Sequence, residues 1–128
     1  MSDPPSILMQ HLKMLALGYI LSVSKDYKWV IVHSFTLPPG FNQAEIDILI
    51  EIPPGYPCSP PGIGQFRVYI PSRLRYKGKI LKAVYNNVNP GWGDWAWMCY
   101  KQIKWDPTRD DLVSLMEIIR TDLTHPPT

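Results

Sequence analysis

The chain has 128 residues, of which 45% are hydrophobic and 19% charged, and its formal net charge is +2. This balance predicts a single folded domain over residues 1–128 and excludes a disordered chain, while so small a net charge does not indicate nucleic acid or an anionic membrane as a partner. No apolar run approaches the roughly 20 residues that cross a bilayer, and the N-terminus lacks the basic and apolar regions of a signal peptide. The two cysteines, Cys58 and Cys99, do not make a disulfide framework, so we expect a cytoplasmic location.

The first half of the chain predicts a helix followed by an antiparallel meander. The helix is predicted over residues 6–17, with Ser6 as its N-cap and Gly18 as its C-terminal stop. Strands are predicted over residues 19–24, 29–35 and 45–52 from their alternating apolar positions. In the second strand this alternation places four residues on one face: Trp29, Ile31, His33 and Phe35. In the third strand it predicts a buried isoleucine face opposite mostly acidic residues: Ile46, Ile48, Ile50 and Ile52.

A proline-rich loop follows the third strand. Pro53, Pro54 and Gly55 end the strand, because proline offers no backbone N–H and glycine permits positive φ. The sequence YPCSPP at residues 56–61 then predicts a stiff loop with few hydrogen bonds. A fourth strand is predicted over residues 65–70, ending at Pro71.

The second half is less regular until its last helix. Residues 72–98 have no sustained period, apart from turn signals at Gly78 and residues 86–91 and a short predicted strand over residues 80–85. The closing helix is predicted from one apolar stripe: Leu112, Leu115, Met116, Ile119 and Leu123. Two starting points fit this helix, a capping box of Thr108 with Asp111, or Asp106 followed by a proline at residue 107.

Cys99 is the candidate nucleophile. A lone cysteine is more often a small buried hydrophobe than a nucleophile. Cys99, however, lies in an aromatic-rich segment close to Lys101 and Lys104, whose positive charges favour the reactive thiolate. Cys58 has no charged neighbour in its proline-rich loop, and we interpret it as structural.

Other chemistries have less support in the sequence. There is no paired-cysteine zinc spacing, no HExxH and no glycine-rich phosphate loop, and the histidines lie far from both cysteines: His11, His33 and His125. Three carboxylates before the last helix could supply an acid–base pair, but favourable charge at a helix N-terminus is the simpler interpretation: Asp106, Asp110 and Asp111. Basic residues at 73–82, with nearby tryptophans, could bind nucleic acid, although the modest net charge disfavours it.

The order of these elements resembles the ubiquitin-conjugating enzyme superfamily, and in particular its bacterial members called prokaryotic family E. The resemblance is carried by YPCSPP at residues 56–61, by Trp105-Asp106-Pro107, and by FTLPPGF at residues 35–41 leading into ILIEIP at residues 48–53. It implies an α+β fold with an N-terminal helix, a four-stranded antiparallel meander, an irregular active-site segment and a C-terminal helix.

The resemblance also implies a function. Cys99, which precedes Trp105, would accept a ubiquitin-like protein as a thioester from an activating enzyme and pass it to an amine of a target protein. The family's His-Pro-Asn stretch is absent; the nearest match is NNVNP at residues 86–90, so Asn87 and Asn89 are the candidates for stabilising the oxyanion. No metal or organic cofactor is implied, since the activating enzyme uses the ATP. The first helix would dock that enzyme, with Lys13 and His11 on or near its exposed edge.

Two rival hypotheses remain open. A catalytically inactive conjugating-enzyme-like or RWD-like domain would keep the proline loop and act as a binding or scaffold module. A nucleic-acid-associated domain would use the basic segment at residues 73–82. The operons of the bacterial members that the chain resembles imply a setting in antiphage defence.

Overall fold

The structure is a computed structural model that describes residues 6–53, 55–56, 67–81, 84–85, 90–98, 105–106, 108–124 and 126. Its elements in chain order are α1 (Ser6–Leu15), β1 (Ile20–Val23), β2 (Trp29–Thr36), β3 (Glu45–Glu51), β4 (Arg67–Pro71), β5 (Val84–Tyr85), β6 (Trp95–Met98) and α2 (Leu112–Thr124). The predicted α+β class, with one helix before the strands and one after them, is confirmed.

All the described strands form one antiparallel sheet in the order β1-β2-β3-β4-β6-β5. The predicted meander is present as β1 to β4, but the predicted number of four strands is wrong. β6 pairs with β4, and β5 pairs with β6, so two further strands extend the sheet. β6 lies in the segment predicted as irregular, although its tryptophans alternate with the buried Ala96 and Met98, as a strand requires.

The main core lies on one face of this sheet, between the strands and the two helices. The predicted isoleucine face of β3 and its extension is buried here, and so is the whole predicted stripe of α2. α1 adds three leucines to the same core: Leu8, Leu12 and Leu15. Within the described ranges, no helix has the length and apolar character needed to cross a bilayer.

A β-bulge in β2 changes the face that Phe35 occupies. The pairing of β2 with β3 shifts register between Val32 and Phe35, and Ser34 takes a positive φ of 55°. The Ser34 backbone N–H donates to Asp47 Oδ1 at 3.1 Å. Because the bulge adds one residue to the alternation, Phe35 joins Val32 in the core with 1% exposure. The prediction that Phe35 shares a face with His33 is therefore wrong.

The opposite face of the sheet carries a second, aromatic layer. Leu49, Tyr69, Trp97 and Tyr85 are successive neighbours across four strands. Leu49 and Tyr69 are almost completely buried, although they are not part of the core beneath the helices. Above them, the ring centroids of Trp29 and Trp92 lie 5.7 Å apart in an edge-to-face contact. The part of the sheet formed by β3, β4, β6 and β5 therefore has apolar side chains on both of its faces.

Several element ends differ from the prediction. α1 ends at Leu15 rather than at residue 17, because the next residues form a tighter turn in which Gly18 N–H donates to the Leu15 carbonyl at 3.1 Å. Among the described residues, β5 is Val84–Tyr85, within the strand predicted over residues 80–85. The predicted turn at Gly78 is present: Lys77 and Gly78 both have positive φ, at 51° and 78°.

α2 begins with a reciprocal cap. Ser114 N–H donates to Asp111 Oδ1 at 2.8 Å, and Asp111 N–H donates to Ser114 Oγ at 3.3 Å. The helix therefore starts at Leu112, and both predicted starting points lie too early in the chain. Asp106 forms a separate turn, in which its Oδ1 accepts from the N–H and the hydroxyl of Thr108 at 2.9 and 2.7 Å. These bonds hold the pKa of the Asp106 carboxyl below its usual value.

We predict that Asp111→Ala lowers the free energy of unfolding by about 1 kcal/mol, because the first turn of α2 loses its side-chain acceptor. Urea unfolding followed by circular dichroism measures this loss. Thr121→Ala is the matched control, since Thr121 is an exposed residue later in the same helix. An equal loss in both variants would contradict the assignment of Asp111 as the cap.

Candidate functional site

The three residues predicted to carry the chemistry lie outside the described residues: Cys99, Asn87 and Asn89. The same is true of other residues named in the sequence interpretation: Cys58, Lys82, Lys101, Lys104, Pro107 and His125. The described residues on either side of these segments define how the chain enters and leaves them.

Met98, the residue directly before Cys99, is held inside the sheet. It is the last residue of β6, is buried, and pairs with Val68 on one side and with Val84 on the other. Tyr85, the last residue of β5, pairs with Trp97. Because β5 and β6 are antiparallel, the chain leaves them at opposite ends of this pair, toward Asn87 from β5 and toward Cys99 from β6.

Three aromatic rings link α1 to two loop residues. His11 belongs to α1, Tyr56 is the first residue of YPCSPP, and Trp105 follows the Cys99 segment in the chain. His11 Nδ1 lies 2.7 Å from the Tyr56 hydroxyl, and the two rings meet edge to face at 5.5 Å. The Tyr56 and Trp105 ring centroids lie 6.4 Å apart. We call His11, Tyr56 and Trp105 the tyrosine clamp. It fixes Tyr56 and Trp105 against each other.

Burial raises the pKa of Tyr56 above its ordinary value, and the negative charge of Asp111 adds to this effect. The Leu112 backbone N–H, which donates to the phenol oxygen, opposes it. Tyr56 is therefore protonated at neutral pH, and its hydroxyl is hydrogen-bonded to His11 Nδ1.

His11 does not form part of an exposed docking edge, and that prediction is wrong. Its exposure is 9%, and it is the one buried polar or charged residue in the described part of the chain. In the sequence, His11 lies on the apolar stripe of α1 together with Leu8, Leu12 and Leu15, and this position indicated its burial. Lys13 is exposed, as predicted.

The sequence interpretation missed a serine–histidine–aspartate network across β1, β2 and β3. Ser22 Oγ lies 2.6 Å from His33 Nε2, and His33 Nδ1 lies 3.4 Å from Asp47 Oδ2. The order is that of a hydrolase triad, but the network lies on an open sheet face. Backbone N–H groups in a sheet lie in its plane, so these strands direct none at a developing oxyanion above Ser22. We interpret the network as a surface hydrogen-bond chain.

Two adjoining clefts, of about 650 and 590 Å³, share Trp92, Asp94 and Trp95. The first also contains Arg73 and Arg75 from the predicted basic segment. Arg75 Nη1 is already bonded to two backbone carbonyl oxygens, at 2.9 and 3.1 Å. The second cleft is lined partly by two further acidic residues, Glu45 and Asp47. Because the two clefts carry charges of both signs, they do not form the positive groove that single-stranded nucleic acid requires.

The acidic residues before α2 bind backbone amides. Asp110 Oδ2 accepts from Asp106 N–H at 2.8 Å, alongside the turn at Asp106 and the cap at Asp111. The simpler interpretation, a carboxylate at the helix start, is therefore supported for Asp111, whereas Asp106 and Asp110 stabilise the turn before the helix. Among the residues that the structure describes, no three His, Cys, Asp or Glu side chains are grouped so that they could hold a metal ion.

A family model described as Prokaryotic E2 family E matches residues 5–125 of the chain. A search of curated proteins and a search of solved structures each found no match. The matched range contains every described helix and strand and all three residues of the tyrosine clamp. It also contains the positions of Asn87, Asn89 and Cys99.

We predict that Tyr56→Phe lowers the free energy of unfolding by roughly 1–3 kcal/mol at neutral pH, because His11 Nδ1 loses its buried partner. Tyr19→Phe is the control, since its hydroxyl bonds to Arg120 at an exposed position and its loss costs less. Urea unfolding of both variants measures the difference.

The same variant has an expected pH dependence. Folding raises the pKa of Tyr56, so its contribution to stability is complete below the unfolded tyrosine pKa of about 10 and is lost as the pH rises above it. The stability gap between the wild type and Tyr56→Phe should therefore narrow above about pH 10. A gap that widens there would contradict the assignment of a buried, protonated phenol.

Proposed function

Because the chain belongs to prokaryotic E2 family E, we propose that it carries a ubiquitin-like protein as a thioester on Cys99 and transfers it to an amine. The observation that carries this proposal is the family match over residues 5–125, within which Cys99 precedes Trp105. The proposed partners are an activating enzyme, the ubiquitin-like protein and a target protein. The proposed setting is the cytoplasm, within antiphage defence.

The described structure supports this proposal through the residues that border the Cys99 segment. Met98 is fixed in β6 on one side, and Trp105 is fixed in the tyrosine clamp on the other. Tyr56, which contacts Trp105, is also the first residue of the YPCSPP sequence. Two of the sequences that carry the family resemblance, YPCSPP and Trp105-Asp106-Pro107, therefore begin at residues of the tyrosine clamp.

The proposed chemistry is two acyl transfers at one sulfur atom. The Cys99 thiolate attacks the thioester carbonyl that links the modifier to the activating enzyme; the new C–S bond forms, and the activating enzyme's thiolate leaves. A target amine then attacks the Cys99 thioester. An amide bond forms, the amine loses a proton, and the Cys99 thiolate is released. The chain itself needs no metal or organic cofactor for these steps, since ATP is consumed earlier by the activating enzyme.

Each attack places negative charge on the carbonyl oxygen, which a nearby amide N–H₂ can stabilise. We propose Asn87 and Asn89 for this role, because they belong to the nearest match to the family's asparagine-containing stretch. They precede β6 and Cys99 follows it, so a stabilising contact requires the chain on both sides of β6 to turn toward one point.

The rival hypothesis is an inactive relative that binds the modifier or scaffolds a complex. The fold, the tyrosine clamp and the family match are equally compatible with it, because none of them depends on the reactivity of Cys99. The two hypotheses differ only in whether a covalent adduct forms.

We predict a thiol-sensitive adduct when the protein is incubated with its cognate activating enzyme, ATP and the ubiquitin-like protein. On a non-reducing gel, Cys99→Ala should abolish this adduct and Cys58→Ala should retain it. Adduct loss in Cys58→Ala alone would move the nucleophile to residue 58 and keep the class of reaction. If the activating enzyme is charged and no adduct forms on the wild type, the enzymatic hypothesis is wrong and the inactive relative is favoured.

We predict that at least one of Asn87→Ala and Asn89→Ala slows transfer of the modifier to a free amine by roughly 100- to 1,000-fold, as loss of one oxyanion donor does in other acyl transfers. The measurement is a single-turnover discharge of the preformed Cys99 thioester with lysine. Ser72→Ala is a control on the same half of the chain. Unchanged discharge in both asparagine variants would remove them from the mechanism.

A further inference from the structure

β1 forms one edge of the sheet, and half of its backbone groups face away from β2. Ser24 N–H donates to the Trp29 carbonyl at 2.9 Å. Ser24 and Trp29 are therefore a hydrogen-bonded pair, and this fixes which residues of β1 bond to β2. Because bonded and non-bonded pairs alternate in an antiparallel ladder, Ser22 also bonds toward β2, opposite Ile31. The N–H and C=O groups of Leu21 and Val23 therefore point out of the sheet edge.

Although β1 is only four residues long, within the described residues this edge has no charged side chain, proline or β-bulge to prevent strand pairing. β1 reads Ile20-Leu21-Ser22-Val23, without a charged residue or a proline, and its register with β2 is uninterrupted. Two large apolar side chains beside it are strongly exposed, Leu17 at 90% and Ile20 at 72%. An open edge next to exposed apolar side chains is a surface for strand addition.

We propose that β1 pairs antiparallel with β1 of a second copy of the chain, joining the two six-stranded sheets. The outward groups of Leu21 meet those of Val23 in the second copy, and those of Val23 meet Leu21. Ser22 then lies opposite Ser22 at the two-fold axis. This register uses all four outward N–H groups, two from each copy.

The side chains favour a second copy over an unrelated strand. The register pairs Leu21 with Val23, which joins two apolar side chains on the same face of the combined sheet. It places Ile20 opposite Ser24, which lines a groove of about 400 Å³ with Val23, Lys25 and Tyr27. Lys25 falls opposite Tyr19, whose hydroxyl accepts a hydrogen bond from Arg120 at 2.9 Å. The edge therefore matches itself in its outward backbone groups and in its apolar side chains.

The first test is sedimentation of the 128-residue chain across a dilution series. The wild type should sediment as a dimer at high concentration and dissociate on dilution. Val23→Pro should be monomeric throughout, because proline removes an outward N–H while Ser22 and Ser24 still bond to β2. Far-ultraviolet circular dichroism and a cooperative thermal transition, compared with the wild type at concentrations at which the wild type is monomeric, would establish that this variant is folded.

The second test is a cross-link that does not depend on the proline variant. In a chain carrying Cys58→Ser and Cys99→Ser, Ser22→Cys should oxidise to a covalent dimer. A non-bonded antiparallel pair has Cα atoms about 4.5 Å apart, within the disulfide range. Thr121→Cys, an exposed position on α2, is the matched control. Ser22→Ala controls for loss of the contact with His33.

Dimerisation that is lost in Val23→Pro, with cross-linking at residue 22 and not at residue 121, would support the proposal. A wild type that is monomeric at every concentration, a dimer that survives in a folded Val23→Pro, or equal cross-linking at both positions would overturn it. A monomer whose Leu21 and Val23 amide resonances shift on addition of the ubiquitin-like protein would assign the edge to another protein's strand, and would also overturn self-pairing. None of these outcomes depends on thioester formation.

Discussion

The hydrogen bond between Tyr56 and His11 is the contact on which the arrangement of the candidate site depends. A polar atom in the interior needs a partner, so the buried imidazole fixes α1 against Tyr56, in the loop after β3. The Tyr56 hydroxyl oxygen also accepts a hydrogen bond from the Leu112 backbone N–H, and the Tyr56 ring packs against Trp105. One side chain thereby sets the mutual positions of the first helix, the start of the proline loop and the start of the last helix.

Much of the fold could be predicted because it depends on local periodicity. The isoleucines of β3 and the stripe of α2 each repeat with the period of their own element, and both are buried as predicted. The face of Phe35 could not be predicted in this way. Its position depends on a bulge at Ser34, and Asp47 on the neighbouring strand binds the bulged N–H. A contact between strands is not visible in the alternation of one strand.

For the candidate site as well, local sequence motifs could be predicted, whereas contacts between residues far apart in the chain could not. The spacing of Cys99 and Trp105 can be read from the sequence, and so can the YPCSPP motif. The contact between Tyr56 and Trp105 cannot, because these residues are far apart in the chain. The burial of His11 likewise depends on a partner 45 residues away, although its place on the apolar stripe of α1 agreed with burial.

The aromatic layer on the outer face has a spectroscopic consequence. Trp92 contacts both Trp29 and Trp95, with ring centroids 5.7 and 6.0 Å away. Indole rings at this separation couple their electronic transitions, which produces near-ultraviolet circular dichroism. Trp105 packs against the core under the helices and belongs to a different cluster. Trp105 and the coupled tryptophans therefore report separately on the two faces of the sheet. The circular dichroism of the coupled tryptophans shows whether the residues leading into β6 are well ordered, without an added label.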